Sequence, residues 1–411
     1  MTTDAIARLD GWLSDEFVAL NTELEETYFT AGLEHVASPA LALLAEQILF
    51  AGAKLAEAVL AEDALPDAAD DRYRLLGSVG MHLAACRRHR VDEPHPDVLA
   101  PAWSLAQRLA GPLGVAPRMV FAHQGVYGFR TFTSLPDERL FVARNADGVL
   151  AYQVAADALR RVEVAEPASA RLLATARYAL DDVLAAHRAL AAELDVERFF
   201  RSVRPYFKTY RVGAAEHRGT NAGDFAAINE IDLLLGVCRA DDPRYRRVLE
   251  EKVPYVPPED QAVLRAASGI VSILDRFRHA LPGGGENLRA NAELFLAVCR
   301  AHGAAASFHH HRLVLPFLAE PARAAPVEPE DLTASGPPLD VVLDGLQWLS
   351  DLRAARSRPG MNEPRASLER LRGLLDAAPG VNRCNQVRPA WNRNDVPDRP
   401  SGTDARGGHQ S

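Results

Sequence analysis

With 411 residues, 48% of them hydrophobic, the chain has enough apolar side chains for one large core or two smaller ones. A net charge of −9, from 46 Lys+Arg against 55 Asp+Glu, excludes the basic stripe that nucleic-acid binding needs, so no nucleic-acid partner is expected. Cys86, Cys238, Cys299 and Cys384 are scattered without CxxC spacing, which indicates neither a zinc site nor a disulfide framework and fits a reducing cytoplasm, the expected location. The opening MTTDAIARLDGWLSDE lacks a basic region followed by an apolar one, and no apolar run approaches the ~20 residues that span a bilayer. Neither export nor membrane insertion is expected.

Alanine and leucine dominate and β-branched runs are few, so the fold class is expected to be all-α. Residues 1 to 62 predict two or three helices, and the acidic turn DALPDAADD separates them from a helix over RYRLLGSVGMHLAACRRHR. A further helix is expected from Asp97 to Leu113. The stretch GVAPRMVFAHQGVYGFRTFTSLPDER has glycines, aromatics and Pro136 but no helical period, as in a connection that lines a pocket. Residues 169–194 form an amphipathic pattern with Leu173, Leu180, Leu184, Ala191 and Leu194 on one stripe. His187 shares that stripe, where a hydrogen-bonded core histidine is the simpler reading than a ligand.

After the irregular RPYFKTYRVGAAEHRGTNAG, the helix DFAAINEIDLLLGVC places Phe225, Ile228, Asp232 and Leu235 on one face. Asp232 and Asn229 are therefore candidates for burial, and Asp232 should meet an arginine or backbone donors as a scaffold residue, because an unpaired buried carboxylate is costly. A long helix follows GGGE, from about Asn287 to Leu318, softened by Gly303 and kinked by Pro316. Cys299, Ala306, Leu313, Val314 and Phe317 mark its apolar stripe, with His310 on the stripe and His309 and His311 about a hundred degrees to either side. A histidine on such a face can ligate a metal, but a core histidine or a solvated basic patch fits the period equally well. Three consecutive histidines cannot converge on one metal, and zinc-type spacing is absent, since His302 is followed four residues later by Ala306. From Ser357 a short helix within RPGMNEPRASLERLRGLLDAAPG is possible before a polar, Pro/Gly-rich end.

Several segments together resemble the monodechloroaminopyrrolnitrin synthase family, within the haem-dependent tryptophan/indoleamine 2,3-dioxygenase superfamily. In FFRSVRPYFKTYRVGAAEHRGTNAGDFAAINEIDLLLGVC the matching residues are Arg204, Pro205, Gly219, Asn221, Ala222, Gly223, Asp232, Leu235 and Gly236. Arg211-Val212-Gly213, GSVGMHLAACRRHR and SLPDE are closer to the synthase than to the dioxygenases, and SFHHHRLVLPFL is similar to the family's proximal helix. TASGPP before LDVVLDGLQWLSDLRAAR is similar to the loop covering haem and substrate, with Pro337 and Pro338 in place of a glycine-rich continuation.

The resemblance, over roughly residues 72–356, implies a helical bundle with a haem b pocket whose iron is bound by His310, or by His311 if the register slips by one. It further implies dioxygen or peroxide as co-substrate and a small tryptophan-derived indole as substrate, in secondary metabolism. Arg211 or Arg218 would clamp the substrate carboxylate or meet a haem propionate, and Ser335 and Gly336 would contact substrate from the covering loop. Rival expectations are a haem-dependent aromatic amino-acid monooxygenase and a non-catalytic haem-binding protein. The implied organisation is an N-terminal helical region (1–145), a haem-binding helical domain (146–356) and a flexible tail (357–411). A homodimer is compatible with the sequence, which does not fix the oligomeric state.

Overall fold

The computed structural model describes residues 4–62, 65–220, 223–324, 339–361 and 363–377. Three helices precede residue 62: α1 (Asp4–Ser14), α2 (Glu16–Ala31) and α3 (Pro39–Ala61). Ser38 starts α3 by accepting from the Leu41 amide at 3.3 Å, with Pro39 opening the first turn where its missing N–H costs nothing. In α4 (Ala69–Arg88), Asp70 and Asp71 occupy the first turn and Arg87 and Arg88 the last, the placement that favours the helix dipole. After α5 (Ala100–Leu113) the glycine- and aromatic-rich connection contains only the single turn α6 (Ala122–Gly125) before Pro136 opens α7 (Pro136–Arg160). α7 packs against α8 (Ser169–Glu193), and α9 (Val196–Arg198) leads through a π turn and a 3-10 turn to the hairpin β1 (Tyr210–Val212) and β2 (Ala215–His217). There Tyr210 lies opposite His217 and Val212 opposite Ala215.

The C-terminal half comprises α10 (Ala227–Leu235), α11 (Pro243–Lys252), α12 (Pro258–Ala267), α13 (Ile273–Ala280), α14 (Glu286–Phe308), α15 (Glu320–Ala324), α16 (Leu339–Arg353) and α17 (Glu363–Ala377). α14 is the long helix expected after the triple glycine, but from His309 to Ala319 it continues as a π-helix that contains Pro316. No helix among the described residues is long and apolar enough to cross a membrane.

Two large apolar clusters hold most of these elements. One gathers Leu24, Ile48, Leu76 and Leu105 from the first five helices and takes in Tyr206, Phe207, Tyr210 and Val212. The other runs from Phe121 and α7 through Leu180, Ile231, Phe277 and Phe295. The expected boundary at 145/146 falls inside α7, because the helix is set by Pro136 at its first turn and by Asp137 and Glu138 behind it. The expected tail also begins too early, since α17 buries Leu368, Leu371 and Leu375 in the second cluster. Residues 378–411 lie outside the described residues.

Leu371 is 0% exposed. Leu371→Ala should therefore lower the unfolding free energy by about 2–5 kcal/mol, measured by urea titration. A change under about 0.5 kcal/mol, the size of an ordinary surface substitution, would mean that α17 is not part of the core.

Candidate functional site

Asp232, buried at 0% exposure on α10, is a heavily bonded carboxylate of the C-terminal half. Gly236 ends that helix in the left-handed conformation (φ 76°), donating to the carbonyls of Asp232 and Leu233, and a Cβ there would meet Ser272 Oγ at 2.5 Å. Asp232 Oδ1 accepts from His302 Nε2 at 2.7 Å and from Arg353 Nε at 2.9 Å. Oδ2 accepts from Arg353 Nη2 and from the Tyr245 hydroxyl, both at 2.8 Å. Tyr245 in turn accepts from Asn229 Nδ2 at 3.0 Å, and Lys252 Nζ donates to Asn229 Oδ1. Burial opposes ionisation of Asp232, but the Arg353 guanidinium and the bond from His302 outweigh it and hold the carboxyl below its ordinary range. The arginine demanded by the sequence is thus Arg353, at the end of α16. Gly303 lets it arrive: a Cβ at that position would lie 2.7 Å from the Ala354 Cα and 2.9 Å from the Arg353 carbonyl oxygen.

The histidine run begins two turns beyond His302. His309 faces α8, with its ring centroid 5.2 Å from that of His187. Burial first, then His187, Arg353 and His310, push its pKa down to about 3, so the imidazole is neutral. Its ring nitrogens make no hydrogen bond among the described residues, and the side chain is only half-buried. His310 is the buried member of the run, at 3% exposure, as its stripe requires. Its ring, however, is enclosed beside Gln347 and Asp351 of α16, with Nδ1 left unpartnered. His311 is exposed, its Nε2 3.2 Å from Arg356 Nη1. Along this π-helix the hydrogen bonds reach one residue further than in an α-helix. Leu190, Leu194, Leu313 and Phe317, with Phe141 and Phe199 packed on them, form an apolar cluster between α8 and the π-helix.

Arg211 points to solvent from β1. Arg218 lies 4.1 Å over the Tyr255 ring and grips Asp224 through two bonds of 2.6 and 3.2 Å, so it is already the partner of a buried carboxylate. Ser335, Gly336, Pro337 and Pro338 lie outside the described residues. Sequence reasoning missed Arg118. It is 0% exposed, donating from Nε to the Met119 carbonyl at 2.8 Å and from Nη1 to the carbonyls of His217 and Arg218, while Nη2 has no partner. Its only sequence signal was membership of the aperiodic, aromatic-rich connection between α5 and α7. His187 was visible on its stripe, but not its pairing with His309.

Among the described residues no group of three or more His, Cys, Asp and Glu side chains could hold a metal ion. A cleft of about 500 Å³, lined by Cys238, Trp348, Leu352 and Met361 among others, contains none of the histidines and not Arg118. A family model described as monodechloroaminopyrrolnitrin synthase PrnB matches residues 3–375.

Asp232→Ala, which strands Arg353 and His302, should cost about 3–5 kcal/mol of stability. Because the folded carboxyl titrates below its unfolded value of about 3.9, the stability it contributes is complete above that pH and is lost as the pH falls further. Urea midpoints between pH 6 and 2 should accordingly fall more steeply for the native chain than for Asp232→Asn, and equal slopes would remove Asp232 from this role. Gly303→Ala should destabilise despite a gain of about 1 kcal/mol in helix propensity, because backbone atoms of α16 occupy the added carbon's place. A more stable Gly303→Ala protein would show that α16 can retreat freely.

Proposed function

Because the chain belongs to the monodechloroaminopyrrolnitrin synthase family, we propose that it is a haem-dependent enzyme of oxygenation or oxidative rearrangement, acting on a tryptophan-derived indole in secondary metabolism. The observation that carries this reading is His309, a neutral and desolvated imidazole with no hydrogen bond among the described residues and with residual accessibility. An axial ligand needs those properties, since only the unprotonated ring offers a lone pair to iron and only an uncrowded one can be approached. His310 is the second candidate on the same segment, and its enclosure against α16 weighs against it.

A bound haem b supplies an iron at which dioxygen or peroxide is activated. His309 would hold it, in the segment whose Leu313 and Phe317 join Leu190 and Leu194 in an apolar cluster. Arg353, bound to Asp232 and close enough to lower the His309 pKa, fixes α16 against α14 and disfavours protonation of the imidazole. The aromatic amino-acid monooxygenase reading uses the same residues. The non-catalytic reading draws support from the two expected carboxylate clamps, since Arg211 is in solvent and Arg218 is engaged by Asp224.

Single alanine substitutions of the three histidines test the ligand. Haem-reconstituted His309→Ala should lose stoichiometric haem, whereas His310→Ala and His311→Ala should retain most of it, and the ferrous–CO spectrum of the native chain should be of the histidine-ligated type. Loss confined to His310→Ala would move the ligand on by one residue. A thiolate-type spectrum, or full haem content in all three variants, would end the haem reading.

A further inference from the structure

In a chain of net charge −9, the end of α16 and the helix after it are basic: Arg353, Arg356, Arg358, Arg365, Arg370 and Arg372 stand against Glu363 and Glu369. Part of that charge is answered locally. Arg356 and Arg358 pair with Asp351, and Arg370 pairs with Glu363. The rest gathers at one place. Arg353, Arg365 and Arg372 line a cleft of about 190 Å³ together with Arg300 of α14, and Glu369 is the one carboxylate among the described residues that line it.

Glu369 accepts from Arg365 at 2.8 Å, and Asp232 accepts from Arg353. With both carboxylates counted, four cations less two anions leave a charge of +2 around the cleft, carried by Arg300 and Arg372. Neither forms an ion pair among the described residues, although Glu293 and Asp376 lie on the same helices, and Glu293 is taken by Arg289. Two further observations bring the arginines together. Burial pushes the thiol of Cys299, which lines the same cleft, up to about 12, and Arg300 and Arg372 both act against that rise, so cations of two helices approach one sulfur. Arg353, its side chain 11% exposed, gives Nε and Nη2 to Asp232 and makes no hydrogen bond through Nη1 among the described residues.

We infer that this cleft is a phosphate-binding site, taking free orthophosphate or the phosphate group of a small metabolite between α14, the end of α16 and α17. Guanidinium groups converging from three helices hold a tetrahedral oxyanion through paired N–H donors, and a local charge of +2 favours a dianion over a single carboxylate. The cleft is smaller than the roughly 300–1,000 Å³ of pockets that enclose drug-sized ligands, so it suits one such group and not a large molecule. Arg353 belongs both to this cleft and to the Asp232 network, so an anion here also fastens the end of α16.

Calorimetric titration of the full chain with orthophosphate, glycerol 3-phosphate and acetate, at fixed ionic strength and with or without haem, tests the assignment. Both phosphates should saturate at low-millimolar concentration and bind at least about tenfold more tightly than acetate, the scale of one charge-assisted bond. Arg300 and Arg372 are exposed, so the double variant Arg300→Gln/Arg372→Gln should fold with little change in stability and bind both phosphates at least about tenfold more weakly. Should it fail to fold, Arg300→Gln and Arg372→Gln decide singly, at about threefold each. Phosphate should also raise the urea midpoint of the native chain more than that of the variant, a comparison that removes its general stabilising effect as a salt. Tighter binding of the monoester assigns the site to a phosphorylated metabolite, and equal or tighter binding of orthophosphate assigns it to the free ion. No saturation below about 10 mM, acetate binding as tight as phosphate, or phosphate affinity unchanged in the variants overturns the site.

Discussion

A carboxylate sealed from water among helices must be answered by cations and donors, and the C-terminal half is arranged around that demand at Asp232. Its bonds reach His302 on α14, Tyr245 on α11 and Arg353 on α16, so one side chain of α10 ties four helices together. Burying such a group costs several kcal/mol before any bond is made, and only a nearly complete set of partners recovers it. The arrangement is therefore exacting: α16 must stand close enough for its backbone to touch Gly303, and the histidine run continues directly from the helix so clamped. Whatever binds at His309 binds to a helix whose position Asp232 has already settled.

The N-terminal half uses a second buried pair in the same way. Arg88 Nε donates to Glu25 Oε1 at 2.6 Å and Nη2 to Oε2 at 2.9 Å, joining α4 to α2. Beside it Asn21 Oδ1 accepts from the Tyr206 hydroxyl at 3.0 Å and lies 2.8 Å from His89 Nε2. Tyr206 belongs to the segment between α9 and the hairpin, so these bonds hold the approach to the hairpin strand that carries Tyr210 beneath Arg118. Each of the two large apolar clusters thus has a polar pin.

How far this was legible in the sequence depended on the range of the interaction concerned. Helices with a clear 3.6-residue period were readable, because their pattern is local, and Asp232 could be seen to need a cation because its own face is apolar. That the cation is Arg353, 121 residues away, was not readable, since pairing across such a distance follows from packing. The burial of His310 followed from its stripe, but what it packs against did not. A π-helix has no signature in hydrophobic period, and the only local hint was Pro316, which an α-helix tolerates poorly. Arg118 escaped because a lone arginine in an aperiodic stretch looks like any solvated loop cation. The packing of α17 was hidden by the polar residues that surround its three buried leucines.

The π-helix gives the triple histidine a different meaning from that of three candidate ligands. Residues 309–319 are wound more loosely than an α-helix. If the segment tightened to α-helical winding, its side chains would rotate past α8 and α16. At most positions that rotation would exchange one residue type for another. Within the run, a slip of one residue brings an imidazole to the place an imidazole has just left. The repetition would make this stretch tolerant of a one-residue change of winding, since an imidazole would still face α8.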